Sequence, residues 1–241
     1  MMVKSLNQTF VLGLGGSVFA PNGGEAKGIK IEYLNKFENF LRKQIAKNRR
    51  FFIVTGGGYT AREYRDAAAK AVGPAKINNE DLDWLGVHAS RLNAHLLRTI
   101  FKDVAYPRFI KHYDMVDKNA LDYKVVVGGG WKPGWSTDYC SVMIAQDYGV
   151  DRVINMTNVD YVYDKDPNRF KEAVPYKKLS WDEVLKIVGS EWKPGMNTPF
   201  DPVASRLAKK IGLKVIVCNG HDFENLGRIL EGKKFEGTVI E

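Results

Sequence analysis

The chain has 241 residues, long enough to bury a sizeable core. Its 36 basic and 28 acidic residues leave a net charge of +8, spread without any lysine–arginine block carrying interleaved aromatics, which argues against a nucleic-acid partner. No window approaches a continuous apolar membrane span, the start lacks a signal-peptide core, and Cys140 and Cys218 stand far apart in apolar surroundings, so the expectation is a cytoplasmic protein with buried thiols and no membrane partner.

In chain order, Thr9-Phe10-Val11-Leu12 reads as a first buried strand running into Gly13-Leu14-Gly15-Gly16-Ser17. No Gly-Lys-Ser/Thr follows, so this is not a P-loop, and the dinucleotide fingerprint Gly-x-Gly-x-x-Gly is incomplete. The turn is either an ordinary tight turn or a phosphate cradle. Pro21 to Lys27 read as loop. From about Ile29 to Ile45, apolar residues recur at helical spacing. The aromatic members Tyr33, Phe37 and Phe40 fit a contact between subunits or an intramolecular core.

Phe51-Phe52-Ile53-Val54 is a second strand, ending at Thr55-Gly56-Gly57-Gly58. The following helix carries Arg62 one turn in. A guanidinium there either reaches an anion lying over the glycines or pairs with Glu63 or Asp66. Asn78 to Phe101 form a long helical pattern with an apolar stripe that includes Leu82, Leu85, Leu92 and Leu96. Asn93 is an amide among apolar neighbours, and a ligand edge can supply the partners it needs. Asp83 and His88 make no metal spacing with either cysteine, and no protein metal-ligand set is expected. Asp114 to Ala120 read as a short helix.

Lys124 to Pro167 organise the chain. Val125-Val126-Val127 end in Gly128-Gly129-Gly130, a second strand-to-triple-glycine transition. After the Pro133-Gly134 turn, Ser136-Thr137-Asp138 open a helix, and the strand Arg152 to Met156 ends in Thr157-Asn158-Val159-Asp160. Asp160, Asp164 and Asp166, beside Tyr161 and Tyr163, form either a polar turn closed by Pro167 or one side of a Mg–nucleotide site. Ser180 and Glu183 read as a capping box. Glu191 to Asp201 read as a lid or linker carrying Lys193, and Asp201 caps a helix with Pro202 at its first position. Leu213 to Val217 are a strand, Asn225 to Leu230 a short helix, and Gly237 to Ile240 a closing edge strand.

Strands and helices alternate throughout. The expected fold class is α/β, a three-layer α/β/α sandwich with a mainly parallel sheet, as one domain over residues 1–241. Ligands in such sheets bind beyond the carboxyl ends of the strands, where the glycines and polar residues of this chain fall. Glycine permits close backbone approach, and free N–H groups at a helix start attract phosphate.

Several segments carry a resemblance when taken in order: GGSVF at 15–19, VTGGGYTAREY at 54–64, LDWLGVHASRLNAHLL at 82–97, VVVGGGWKPGWSTD at 125–138, TNVDYVYDKDP at 157–167 and FDPVASRLAKKIG at 200–212. The chain resembles the amino acid kinase superfamily, and within it the archaeal-type uridylate (UMP) kinases. The resemblance implies an α/β/α kinase that uses ATP and Mg²⁺ to phosphorylate UMP, assembled as a homo-oligomer, usually a hexamer built as a trimer of dimers. It implies an acceptor lobe over roughly residues 1–150 and an ATP lobe over roughly 151–241. Gly15, Gly16 and Ser17 would lie along the ATP phosphates, with Thr157, Asn158, Tyr163 and Asp166 on the adenosine side. Gly57, Gly58, Arg62 and Thr137 would face the acceptor phosphate, and Asp83 the ribose; Asn93, Gly130 and Asp138 join the acceptor side. Arg62, Lys193 and Asp201 are the candidate catalytic residues. Gly13 stands where many family members carry lysine, Lys132 and Trp135 stand where UMP kinases often show histidine, and Tyr161 replaces a usual glycine.

Phosphoryl transfer needs two anions brought into line with their repulsion screened, and no covalent nucleophile. Two other readings remain open. One is a kinase of the same superfamily acting on another phosphate or carboxylate acceptor; the other is a non-catalytic nucleotide- or anion-binding oligomer.

Overall fold

The computed structural model describes residues 8–20, 28–73, 76–189 and 198–241. Its frame is a seven-stranded sheet in the order β3-β2-β1-β4-β8-β9-β7. The first five are β3 (Val125–Gly128), β2 (Arg50–Thr55), β1 (Thr9–Leu14), β4 (Arg152–Thr157) and β8 (Lys214–Asn219), all mutually parallel. β9 (Thr238–Ile240) pairs antiparallel with β8, and β7 (Lys178–Leu179) runs parallel to β9 beyond it. The Gly237 to Ile240 segment is therefore not the edge strand expected from sequence. β7 covers its outer side, because Val239 N–H reaches back to the Lys177 carbonyl at 3.0 Å.

Alternate residues of each strand face opposite sides, and both sides are covered. Phe10, Leu12 and Leu14 of β1 join Ile53, Val127 and Met156 in one core, against α2 (Ile31–Ala46), α4 (Asn79–Ile100) and α8 (Phe223–Leu230). Val11, Phe52, Val126 and Val153 join the other, against α5 (Thr137–Asp147), α6 (Trp181–Val188) and α7 (Pro202–Ile211). Burial on both faces is why the strands read as unbroken apolar runs. The short α1 (Gly16–Phe19) and the longer α3 (Gly58–Val72) start just beyond the ends of β1 and β2. β5 (Val162–Tyr163) and β6 (Pro175–Tyr176) make a separate small hairpin.

Local signals set the helix starts. Ser180 and Glu183 form the expected capping box on α6. The Asp201 carboxylate accepts from Val203 and Ala204 N–H at 2.7 and 3.1 Å, with Pro202 at the first position of α7. Asn78 caps α4 by accepting from Asp81 N–H. The short helix expected over Asp114 to Ala120 is displaced: a single 3₁₀ turn covers Lys118–Asp122, with Asp117 accepting from Asn119 N–H at its start. The aromatic stripe of α2 belongs to the chain's own core. Tyr33 and Phe37 are buried, and Phe40 stacks on Phe223 with ring centroids 5.5 Å apart. The Tyr33 and Phe37 rings are therefore not available as a surface between subunits, while Phe40 is only partly buried.

Candidate functional site

Strand order places the site. From β1 the chain builds outward to β2 and β3 on one side, and β4 and β8 fill the other, so the β1/β4 junction is a topological switch point. A cleft of about 850 Å³ opens there. Gly16 and Ser17 line it from the end of β1, Gly57 and Gly58 from β2, Gly130 from β3 and Asn158 from β4.

The first two of these turns touch backbone to backbone. A Cβ on Gly16 would lie 2.1 Å from Gly58 N, and one on Gly58 would lie 2.5 Å from Gly16 O. Gly58 also holds φ at +61°, a left-handed conformation that favours glycine. Gly56 N–H donates to Leu14 O at 3.0 Å, and Tyr59 N–H donates to Ala20 O at 2.8 Å, locking the two strand ends together. The N-cap of α3 is Gly57, which has no side chain to satisfy the first N–H groups of the helix. Those donors and the positive end of the helix dipole suit an anion.

Helix α4 holds the turns in place from below. Asn93, buried, donates to the Gly56 and Gly57 carbonyls at 2.8 and 3.2 Å. The partners this amide needs are thus backbone groups, and Asn93 shapes the glycine turn from outside the cleft lining. Ser90 Oγ accepts from Gly130 N–H at 2.8 Å, and Arg91 Nε donates to Gly130 O at 3.0 Å. Asp83, buried and lining the cleft, accepts from Gly134 N–H at 2.8 Å. Asp83, Gly86, Ser90 and Asn93 are spaced three, four and three residues apart on one face of α4. Asp83 and Asn93 were expected from sequence; the same spacing would have pointed to Ser90 and Gly86.

The α3 side supplies charge. Arg62 and Arg65 both line the cleft, and burial lowers the pKa of each guanidinium, with Asp66 partly offsetting this at Arg62. Arg62 thus faces the cleft while keeping Asp66 as a nearby counter-charge. Arg65 was not anticipated from sequence.

At the far end two helix starts meet. Thr137 and Asp138 open α5, Asp201 caps α7, and all three line the cleft. Asp201 N–H donates to Asp138 Oδ2 at 3.1 Å, and the Ser136 hydroxyl donates to Asp201 Oδ2. Dehydration, helped by the neighbouring Asp201 charge, pushes the Asp138 carboxyl up to about 7. Burial also raises Asp201, held back by the hydrogen bonds from Ser136, Ala204 and Val203. Two carboxyls this close resist ionising together.

The remaining expected residues fall around this cleft. Gly15 lies behind it, its N–H donating to Met156 O at 3.0 Å. Thr157 closes its own turn, accepting from Val159 N–H at 3.2 Å through Oγ1. Tyr163 packs edge-on against Tyr161, outside the cleft lining. Asp166 is linked to the cleft through Arg169, which lines it and lies 3.5 Å from Asp166 Oδ2. Lys193 lies outside the described residues. Trp135, already singled out in the sequence, forms an aromatic wall: it lines the cleft, with its ring centroid 4.2 Å from that of Tyr139 and 5.8 Å from that of Trp131.

The arrangement puts glycine N–H donors and guanidinium groups at one end and a hydrogen-bonded carboxyl pair at the other. It is suited to holding two phosphate-bearing groups end to end. Among the described residues, no group of three or more His, Cys, Asp or Glu side chains could hold a metal ion, and no helix is long and apolar enough to cross a membrane.

Comparison with known proteins adds to this geometry. Residues 8–219 match the model of the amino acid kinase family. The chain is 36% identical over 237 residues to a uridylate kinase of Thermoplasma volcanium, covering 98% of this chain and 99% of that protein. It superposes on the crystal structure of uridylate kinase from Archaeoglobus fulgidus with a TM-score of 0.78 at 32% identity, covering 97% of this chain and 100% of the other. The crystal structure of UMP kinase from Bacillus anthracis shares the fold, with a TM-score of 0.76 at 22% identity, covering 97% of this chain and 96% of the other.

Proposed function

Because the chain belongs to the amino acid kinase family, whose chemistry is phosphoryl transfer, we propose that it moves the γ-phosphoryl group of ATP to UMP, giving UDP and ADP. The observation that carries this reading is the backbone contact of Gly16 with Gly58, which sets the β1 turn beside the start of α3 in one cleft. In this reading Gly16 and Ser17 hold the ATP phosphates, with Asn158 and the Arg169–Asp166 pair toward the adenosine. Gly57, Gly58 and Arg62 hold the acceptor phosphate, Asp83 the ribose, and Thr137 the junction between the two substrates. The wall made by Trp135 bounds the acceptor end. Residues 1–150 then carry most of the acceptor side and residues 151–241 most of the nucleotide side. We assign the working form to a homo-oligomer of these chains, whose contact surface excludes the buried Tyr33 and Phe37 rings.

The cleft residues fit a Mg²⁺ ion that arrives on the nucleotide. Asp201 accepts three hydrogen bonds from Ser136, Val203 and Ala204, so Asp138 is left as the carboxyl with an oxygen to offer. One or two carboxylates plus substrate phosphates are the usual protein share of a magnesium site. The ion would neutralise phosphate charge. Arg62 adds fixed positive charge on the acceptor side, and Lys193 is assigned to the transferring phosphoryl group. Asp201 keeps the start of α7 and the Ser136 hydroxyl in position through its own hydrogen bonds.

The test is a coupled ADP-release assay with ATP, Mg²⁺ and a panel of UMP, CMP, dUMP, AMP and GMP. The reading predicts UMP turnover at least tenfold above either purine monophosphate. ATP binding with no transfer to any acceptor in the panel would select the binding-protein reading instead.

A further inference from the structure

Arg65 has a geometry that the roles above do not use. It follows Arg62 by three residues, so both stand on one face of α3. Its Nε donates to the Leu82 carbonyl of α4 at 3.0 Å, which fixes the guanidinium across the gap between the two helices. The Nη2 end of the group then abuts Gly86. A Cβ on Gly86 would fall 2.0 Å from Arg65 Nη2 and 3.0 Å from Cζ, so the bare backbone at that position is what admits the guanidinium. Glycine inside a helix is costly by propensity alone. Both Arg65 and Gly86 line the cleft beside Gly57, Gly58 and Arg62.

Two guanidinium groups side by side in a partly dehydrated cleft repel each other. Burial is the largest influence lowering the Arg65 pKa, Asp83 offsets it, and the charge of Arg62 lowers it further. An anion between the two would relieve both effects. Nε is committed to Leu82 and Nη2 abuts Gly86, which holds the guanidinium at the cleft wall, and a guanidinium so held suits phosphate oxygens. A phosphomonoester near neutral pH carries close to two negative charges. A carboxylate carries one.

We propose that Arg65 is a second anion-binding residue of the acceptor end, forming with Arg62 a two-guanidinium cradle that selects phosphomonoester acceptors over carboxylate acceptors. The proposal rests on the acceptor-end reading given above and narrows it, since it assigns the acceptor class by charge. Gly86 is the positioning residue that lets the second guanidinium lie in the wall.

The experiment is calorimetric titration of the full chain, without ATP, using UMP, uridine and inorganic phosphate as separate probes. Arg65→Met is expected to weaken UMP binding about tenfold to a hundredfold, the loss associated with one or two charge-assisted hydrogen bonds, while uridine binding stays within about twofold. Arg65→Lys should recover only part, because it restores charge without the guanidinium. Gly86→Ala removes a helix glycine, so its thermal midpoint should hold or rise, yet it should weaken UMP like Arg65→Met. Adding Gly86→Ala to Arg65→Met should then cost little more. Lys43→Met, on the exposed side of α2, is the control and should bind as the parent does.

Unchanged UMP affinity in Arg65→Met overturns the proposal. So does an equal loss for UMP and uridine, which would place Arg65 on the nucleoside. Failure of the UMP reading looks different. If the parent binds inorganic phosphate but gains nothing from the uridine part of UMP, and Arg65→Met still loses phosphate, the cradle stands and the acceptor is another phosphomonoester.

Discussion

Replacing Asp138 by asparagine should remove a pH dependence of stability that the fold builds into the cleft. The Asp138 carboxyl is dehydrated, sits against Asp201, and is pushed up to about 7 from an ordinary 3.8. A carboxyl raised in the folded state holds a proton that the unfolded chain has released, so its contribution is complete below the unfolded value and is lost as pH rises through about 7. Each pH unit inside that window is worth about 1.36 kcal/mol. Between pH 5 and pH 8 the loss is therefore about 3 kcal/mol, or about half that once water entering the cleft is allowed for. The assay is urea unfolding of parent and Asp138→Asn at half-unit steps from pH 5 to 8, reading the difference between the two. The difference is needed because burial lowers the His221 pKa, which makes stability rise with pH across part of the same range. Glu231 and Glu241, held near 2 by lysine partners, titrate below the window. The variant should gain on the parent steadily with pH and level off above about 7. Parallel curves would refute the dehydrated carboxyl pair.

Arg62→Ala should raise the KM for UMP at least tenfold and move the KM for ATP much less, as read from initial rates with each substrate varied in turn. Gly16→Ala places a methyl 2.1 Å from Gly58 N; it should lower stability by about 1–3 kcal/mol in denaturant unfolding and weaken ATP binding measured by titration. Asn93→Leu strips the Gly56 and Gly57 carbonyls of their amide donor; it should cost about 1–3 kcal/mol and reduce kcat/KM for UMP although Asn93 does not itself line the cleft.

The layers of the fold were legible because both faces of the sheet are covered. Phe51-Phe52-Ile53-Val54 and Val125-Val126-Val127 could be read as strands from their unbroken apolar character, and the caps at Ser180 and Asp201 from single residues and their spacing. The glycine turns were legible because a left-handed or crowded backbone leaves no other choice, as Gly58 shows. What sequence hid is non-local. Phe223 lies far along the chain from Phe40, so a stripe that fits an interface packs inside the molecule instead. The partners of the Asn93 amide are carbonyls more than thirty residues away along the chain. Arg65 reads as one more charge on α3 until the α4 backbone at Leu82 and Gly86 is brought against it. The outer strand was misplaced because β7 has only two residues, too few to show a period.

The central claim is transfer of a phosphoryl group from ATP to the phosphate of UMP, and its most direct measurement is phosphorus NMR of a reaction containing the purified full chain, ATP, Mg²⁺ and UMP. The UMP resonance should disappear while the paired resonances of UDP and ADP grow in equal amounts, and AMP or GMP offered instead should react at least tenfold more slowly. Release of inorganic phosphate without UDP, or turnover of a purine monophosphate equal to or above that of UMP, would contradict it.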